Sequence, residues 1–252
     1  MTVLSLRHAG LSLSGRSVVA DASLDCRTGE MVGLLGPNGA GKSSLLRLAA
    51  GLWRPERGTV RWDDVDLSAT RASWRARRIA FMPQENGVPP SMSVRDLVSL
   101  GRLPFGETGM NALRHPAVTA ALAATHLDVL ADRSAAQLSG GERARLHLAR
   151  ALAVDTPALL VDEPIAALDP EHALSVMALL RDWAHRGRAV LVVIHDLGLA
   201  ARYCDRLALM RDGQVIAAGV PNEVLTDDAI GEVYGVTVRR LDGVPVPWTI
   251  SR

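Results

Sequence analysis

A glycine-rich loop constrains the fold of this chain more than any other feature of its sequence. Residues 36–43 read Gly-Pro-Asn-Gly-Ala-Gly-Lys-Ser and match the phosphate-binding pattern G-x-x-x-x-G-K-[ST]. An apolar run at 31–35 precedes the loop, and a predicted helix at 42–50 follows it and ends at Gly51. Because a strand, a glycine-rich loop and a helix in this order bind phosphates at the helix N-terminus, the chain is predicted to bind a nucleotide.

The residue types of this loop have separate physical roles. Glycines let consecutive backbone N–H groups face the phosphates, Lys42 reaches the β and γ oxygens as a compact charge, and Ser43 holds Mg²⁺ through its hydroxyl. Lys42 is the single lysine among 28 lysines and arginines, which predicts that this position requires lysine. The predicted ATP-binding residues are Gly36, Pro37, Asn38, Gly39, Ala40, Gly41, Lys42, Ser43 and Ser44.

Composition narrows the class of protein. A length of 252 residues suits one large α/β domain, alone or with an inserted subdomain. The net charge is +1 and arginines cluster only at 71–78, so nucleic acid is not a predicted partner. The apolar runs are far shorter than the roughly 20 residues that cross a bilayer, and residues 1–10 do not resemble a signal peptide, so we expect a cytosolic chain. Isolated Cys26 and Cys204 are predicted to be buried without a redox role.

Polar residues follow three further apolar runs. Continuous hydrophobicity is typical of strands covered on both faces, as in parallel sheets, where ligands bind beyond the carboxyl ends of the strands. These polar residues are therefore predicted to meet at one rim with the phosphate loop. The runs are 79–82, 158–161 and 189–194, and the residues that follow them are Gln84, Asp162, Glu163 and His195.

The types of these side chains suggest roles in hydrolysis. Asp162 is suited to anchor Mg²⁺, and Glu163 to accept a proton from attacking water. Gln84 can contact both the metal and the water, and His195 can donate to the γ-phosphate. The predicted metal residues are Ser43, Gln84 and Asp162. The predicted catalytic residues are Glu163, His195 and Gln84.

The segment between Gln84 and Asp155 is rich in residues and caps that favour helices. Predicted helices cover 94–100, capped by Ser93, then 117–124 and 140–153. We predict a helical subdomain at 87–153, inserted into a nucleotide-binding core that comprises 1–86 and 154–252. Later in the chain, Asp212-Gly213 predicts a β-hairpin.

The last predicted helix of the insert carries a second glycine-containing start, made of Leu138, Ser139, Gly140, Gly141 and Glu142. A helix N-terminus of this kind binds anions. One nucleotide needs only one such end, so a head-to-tail dimer is predicted, in which each copy closes on the γ-phosphate held by the other.

In order and spacing, these segments together with 167–169 resemble the nucleotide-binding subunits of ABC transporters, over essentially the whole chain. The resemblance implies an α/β fold: a RecA-like P-loop NTPase core with an antiparallel β-subdomain and an inserted α-helical subdomain. It also implies ATP and Mg²⁺ as cofactors, and hydrolysis that drives two transmembrane permease subunits. Glu163 would be the base, His195 the γ-phosphate sensor, and Asp169 part of a loop that crosses the dimer interface.

Residues 93–104 are similar to the insert of importers for iron-siderophores, haem and cobalamin. This likeness implies a subunit at the cytoplasmic face of the membrane, permeases that contact the Gln84 loop and the helical subdomain, and a periplasmic or lipoprotein substrate-binding protein. An exporter, or an importer of another small solute, remains an alternative. The family's usual adenine-stacking aromatic residue is missing near Leu13, so we expect aliphatic contacts, with Arg16 available to stack.

Other ATPase and GTPase classes fit less well. A GTPase needs an Asn-Lys-x-Asp guanine reader, and the single lysine already lies in the phosphate loop. Chromosome-organising ABC proteins carry a long coiled coil that this chain lacks, and tandem-cassette translation factors carry a second phosphate loop. A nucleotide-sensing scaffold would lack the base at Glu163.

Overall fold

The computed structural model describes residues 3–84, 87, 89 and 91–250. These residues form an α/β fold with one ten-stranded sheet and a separate two-stranded hairpin. The strands are β1 Val3–Leu13, β2 Arg16–Arg27, β3 Met31–Leu35, β4 Arg57–Trp62, β5 Val65–Asp66, β6 Ile79–Met82, β7 Ala158–Asp162, β8 Ala189–Val193, β9 Arg206–Arg211, β10 Gln214–Gly219, β11 Val236–Leu241 and β12 Val244–Ile250. The helices are α1 Lys42–Ala49, α2 Ala72–Ala76, α3 Val94–Ser99, α4 Gly109–Leu113, α5 Pro116–Ala124, α6 Gly140–Leu152, α7 Pro170–His185, α8 Leu197–Tyr203, α9 Pro221–Val224 and α10 Asp227–Tyr234.

The large sheet has a parallel half and an antiparallel half. Its order is β5-β4-β1-β2-β10-β9-β3-β8-β7-β6, and the strands from β9 to β6 run parallel. β3, β7 and β8 are buried at every residue, which confirms the prediction of covered parallel strands. β5, β4, β1 and β2 pair antiparallel, and β10 joins them to the parallel half. Together they form the RecA-like core with its antiparallel extension.

Two apolar clusters cover the two faces of the parallel strands. On β3, Val32 and Leu34 belong to the cluster that also contains Leu45 of α1, whereas Met31 and Leu35 belong to the cluster of the opposite face. Successive strand side chains point to opposite faces, so a strand covered on both sides must be apolar throughout. The continuous apolar runs of the sequence are the direct consequence.

The helical insert, α3 to α6, packs onto this same core. Val94 and Leu146 of the insert share one buried cluster with Leu159 and Val190 of the sheet. The predicted division at residues 87 and 153 stays a prediction, because the apolar cluster is continuous across it. Leu100, expected within the first helix of the insert, begins a 3-10 turn instead.

Two further predictions concern the whole chain. Cys26 and Cys204 are buried free thiols, as predicted, and burial raises the pKa of Cys204 to about 12. Among the described helices, none is long and apolar enough to cross a membrane.

Candidate active site

The phosphate loop follows β3 and leads into α1, where the sequence pattern predicts it. Gly41, which precedes the first turn of α1, has a φ of 95°, in the left-handed region that favours glycine. A β-carbon there would collide with the carbonyl oxygen of Val18. The loop backbone is therefore held close to β2, and side chains larger than hydrogen are excluded at Gly41.

Lys42 is almost buried, with 5% of its surface exposed. Its Nζ donates to the carbonyl oxygens of Gly36 at 2.8 Å and Pro37 at 2.9 Å. Burial lowers the pKa of Lys42, while the nearby carboxylates of Glu163 and Asp162 oppose that change. The ammonium group is thus held against the loop backbone, close to where phosphates bind in such loops.

Ser43 and Asp162 connect the phosphate loop to the end of β7. The Ser43 hydroxyl donates to Asp162 Oδ1 at 3.0 Å. Asp162 is completely buried, and its Oδ2 has no hydrogen-bond partner among the described residues. Burial raises the pKa of Asp162, opposed chiefly by the Ser43 hydrogen bond. A buried carboxylate oxygen without a partner beside a hydroxyl suits a hard cation such as Mg²⁺.

Glu163, which follows β7, contacts side chains that follow β6 and β8. Its Oε2 accepts a hydrogen bond from Gln84 Nε2 at 2.7 Å, and its Oε1 lies 2.7 Å from His195 Nε2. Glu163 has a φ of 51°, and its N–H donates to the carbonyl of Val193 in β8. The backbone turn at the end of β7 directs Asp162 to Ser43 and Glu163 to Gln84 and His195.

A cleft with a volume of about 800 Å³ joins Lys42, Ser43, Gln84, Glu163 and His195, whereas the buried Asp162 does not line it. It is lined by Arg16, Ser17, Val18, Asn38, Gly39, Gly41, Lys42, Ser43, Ser44, Gln84, Glu163, His195, Asp212 and Gly213. Arg16 lies at the cleft as expected, but the described Leu13, 40% exposed, is not part of its lining. The expectation of an adenine contact at Leu13 is thus not supported by the cleft.

Sequence reasoning missed Ser17, Val18, Asp212 and Gly213 as lining residues. Asp212-Gly213 is visible in the sequence as a turn, and β9 and β10 flank it as predicted. Its place beside the phosphate loop depends on hydrogen bonds that connect distant segments: Gly213 N–H donates to the Ala40 carbonyl, and Ala20 N–H donates to the Gly213 carbonyl. No local sequence signal indicates these pairings.

The second predicted phosphate-binding end lies away from this cleft. Residues 138–142, all described, are not among the residues that line it. Ser139 caps α6: its hydroxyl accepts from the Glu142 N–H at 3.2 Å, and its own N–H donates to Glu142 Oε2 at 2.7 Å. Asp169 likewise caps α7, accepting from His172 N–H at 2.9 Å, and does not line the cleft. Within one chain, therefore, the structure does not bring these two groups to the Lys42 site.

Comparisons with known proteins agree on one family. A family model described as ABC transporter matches residues 19–166. The hemin import ATP-binding protein HmuV of Pseudomonas entomophila is 45% identical, and the alignment covers 94% of each chain. HmuV of Thermobifida fusca is 43% identical over 97% of this chain and 87% of that protein.

Solved structures support the fold. A dimeric bacterial ABC transporter cassette, 27% identical, superposes with a TM-score of 0.79 over 86% of this chain and 98% of that chain. A dimeric ATP-binding cassette in a post-hydrolysis state with bound ADP and phosphate, 26% identical, gives a TM-score of 0.78 over 88% of this chain and 99% of that chain.

Proposed function

Because the chain belongs to the ABC transporter family, we propose that it is the ATP-binding and ATP-hydrolysing subunit of a haem importer. Membership of the family makes it an ATPase. Haem as the cargo is supported by relatives at 43–45% identity named hemin import ATP-binding proteins. One observation supports the hydrolytic role most directly. The Glu163 carboxylate contacts Gln84 and His195, and all three side chains line the same cleft as the phosphate loop.

The phosphate loop binds the ATP phosphates. Backbone N–H groups of residues 36–44 and the N-terminus of α1 supply positive potential, and Lys42 exchanges its two carbonyl partners for phosphate oxygens. Arg16 and Val18, which also line the cleft, are available to the base and sugar. Affinity then rests mainly on phosphate contacts.

The Ser43 hydroxyl and the Asp162 carboxylate would hold Mg²⁺, with Gln84 as a further oxygen donor. The unpartnered Oδ2 of Asp162 supports this role, since a buried carboxylate oxygen is costly unless it gains a partner. When bound, Mg²⁺ would neutralise charge that develops on the β and γ phosphates.

Glu163 activates the attacking water. Each of its oxygens has one hydrogen bond, so each retains a lone pair that can accept from water. Gln84 orients the carboxylate and the water, and His195 can turn its Nε2 proton to the γ-phosphate. Positioning plus charge stabilisation accounts for most catalysis in phosphoryl transfer.

Two copies of the chain would form the working ATPase. The separation of residues 138–142 from the cleft supports a head-to-tail dimer, in which Ser139, Gly140 and Gly141 close on the partner's nucleotide while Asp169 crosses the interface. Relatives of this fold have been solved as dimers. We further propose that the dimer binds two transmembrane permease subunits at the cytoplasmic face of the membrane, near Gln84 and the helical insert, with a periplasmic or lipoprotein haem-binding protein delivering the cargo.

Reconstitution tests this function. The chain with its permeases in proteoliposomes should import haem in an ATP-dependent manner, and Glu163→Gln should abolish both import and hydrolysis. Import of a ferric siderophore or cobalamin in place of haem would show that the proposed cargo is wrong. ATP-dependent transport in the opposite direction would show that the system is an exporter. Absence of ATP hydrolysis in the wild-type complex would contradict the proposal.

A further inference from the structure

A buried hydroxyl close to the phosphate loop has no hydrogen-bond partner among the described residues. It belongs to Tyr234, the last residue of α10. The Tyr234 side chain packs against the apolar cluster that contains Leu35, the residue before the loop. A buried hydroxyl without a partner is costly, and phenylalanine would fill the same space without that cost. We therefore expect this hydroxyl to gain a partner in another state of the protein.

The hydroxyl lies beside the backbone of Gly36, the first residue of the phosphate loop. Burial raises the pKa of the Tyr234 phenol to about 12, and the Gly36 backbone opposes this change, which requires that the two groups are close. Two contacts join the segments around them. Arg211, at the end of β9, pairs with Glu232 of α10 at 2.6 Å, and a β-carbon at Gly36 would collide with the carbonyl oxygen of Met210. The end of α10, the end of β9 and the start of the loop thus pack together.

Lys42 occupies the carbonyl group of Gly36 in this structure. Its Nζ donates to the carbonyl oxygens of Gly36 at 2.8 Å and Pro37 at 2.9 Å. When Lys42 moves to the phosphates of ATP, the Gly36 carbonyl loses this donor. Tyr234 carries an O–H group without an acceptor beside the same residue. Binding of ATP therefore changes the hydrogen bonding of Gly36 at a place where an unused hydroxyl is available.

We infer that Tyr234 is a positioning residue for the phosphate loop, whose hydroxyl bonds to the Gly36 backbone in the ATP-bound chain and not in the nucleotide-free chain. The inference rests on the proposed function, since ATP is what draws Lys42 away from Gly36. Tyr234 does not line the cleft, so it acts through the loop backbone and not on the nucleotide itself. A bond that exists only in the bound state raises the affinity for ATP.

Tyr234→Phe in the purified chain removes only this hydroxyl. The Kd for ATP, measured by titration calorimetry in EDTA so that hydrolysis stops, should rise about 3- to 10-fold, the usual net effect of one hydrogen bond. In steady-state assays with Mg-ATP, KM should rise by a similar factor, whereas kcat should change much less. The Tm of the nucleotide-free variant should equal or exceed that of wild type, because the hydroxyl has no partner there.

Lys42→Ala gives a sharper test, because it frees the Gly36 carbonyl in the absence of nucleotide. In this background the Tyr234 hydroxyl should already bond to Gly36. Adding Tyr234→Phe should therefore lower the Tm of the nucleotide-free Lys42→Ala chain by about 2–4 °C, whereas it should not lower the Tm of the nucleotide-free wild type. Equal changes in Tm in the two backgrounds would overturn the inference.

Tyr203→Phe is the matched control. Tyr203 is the other tyrosine of the chain, half-buried at the end of α8 and outside the lining of the cleft, so its substitution should leave the Kd for ATP and the KM unchanged. An equal rise in Kd for both phenylalanine variants would refute the inference. So would a lower Tm of the nucleotide-free Tyr234→Phe chain, which would assign the hydroxyl a purely structural role.

The same titrations separate this inference from the proposed function. A wild-type chain that does not bind ATP would refute the proposed function. A wild-type chain that binds ATP, with an unchanged Kd for Tyr234→Phe, would refute only the role of Tyr234.

Discussion

The Glu163 carboxylate lies 2.7 Å from Nε2 of His195, 32 positions away in the chain. Glu163 follows β7 directly and His195 lies two residues after β8, and these strands are parallel neighbours, so the contact is built into the sheet. The same carboxylate also accepts from Gln84, two residues after the end of β6. The side chains of Gln84 and His195 thus share one proton-accepting group, the Glu163 carboxylate, and mutation can separate the roles of the three residues.

Glu163→Gln should retain ATP and Mg²⁺ but slow hydrolysis by about 10²- to 10⁴-fold, the usual effect of losing a positioned base. Glutamine keeps the size of the side chain without accepting the proton. In size-exclusion chromatography with Mg-ATP the variant should elute as a dimer, while wild type remains largely monomeric, and EDTA should reverse the shift. Nearly unchanged turnover would assign the base to another group, with His195 as the first candidate.

Lys42→Arg should abolish ATP hydrolysis. The ammonium fits between two carbonyl oxygens less than 3 Å away in a nearly buried position, and a planar guanidinium needs more space and a different geometry. The measurement is steady-state ATPase activity, with circular dichroism to verify folding. Since every other cation of the chain is arginine, an active variant would contradict the inferred requirement for lysine.

Gly141→Asp should separate ATP binding from dimerisation. The residue lies at the start of α6, away from the cleft of its own chain, so binding of a fluorescent ATP analogue should stay close to wild type. Negative charge facing the partner's γ-phosphate should prevent the ATP-dependent dimer and hydrolysis. Ser139→Arg should act likewise by its bulk. Full turnover by a monomeric variant would refute the two-copy site.

Asp162→Asn should remove Mg²⁺-dependent hydrolysis and also change the pH dependence of stability. Burial raises the pKa of Asp162 in the folded chain, so between the unfolded value near 4 and the raised folded value the native state binds more protons. Stability without Mg²⁺ therefore falls as pH rises through this window in wild type. Asparagine does not ionise and removes this loss. The difference in Tm between the variant and wild type, measured without Mg²⁺, should therefore shift in favour of the variant as pH rises through this window. A Tm difference that does not change with pH would contradict a raised pKa of Asp162 in the folded chain.

Arg102→Ala should destabilise the fold by about 1–3 kcal/mol. Arg102 is 6% exposed and binds Glu107 at 2.7 Å and two carbonyl oxygens at 3.0 Å, which its removal leaves without a donor. Urea unfolding measures the change. Arg95→Ala is the matched control, because Arg95 pairs with the 89% exposed Asp132 and should contribute less than about 1 kcal/mol. Equal effects of both substitutions would contradict the structural role of Arg102.

Local sequence signals were sufficient for much of the core. The phosphate loop, the covered strands and the polar residues after them follow from residue pattern alone, because a strand buried on both faces must be apolar and a tight phosphate loop needs glycine. The motif around Arg102 is a different case. In the sequence it indicates only a class of importer, whereas in the structure its arginine stacks on Phe105 and binds the backbone beyond α6.

Residue pattern alone predicts that the chain binds nucleotide phosphates, carries paired carboxylates after a buried strand, and contains a second anion-binding helix start. Which of these groups meet follows from contacts between segments that are distant in the chain. The order of the strands brings Gln84, Glu163 and His195 into contact, pairing around β10 places Gly213 beside the phosphate loop, and packing of the insert keeps Ser139 out of its own cleft. Local patterns report burial and backbone conformation, whereas contacts between distant segments depend on how the whole apolar core packs.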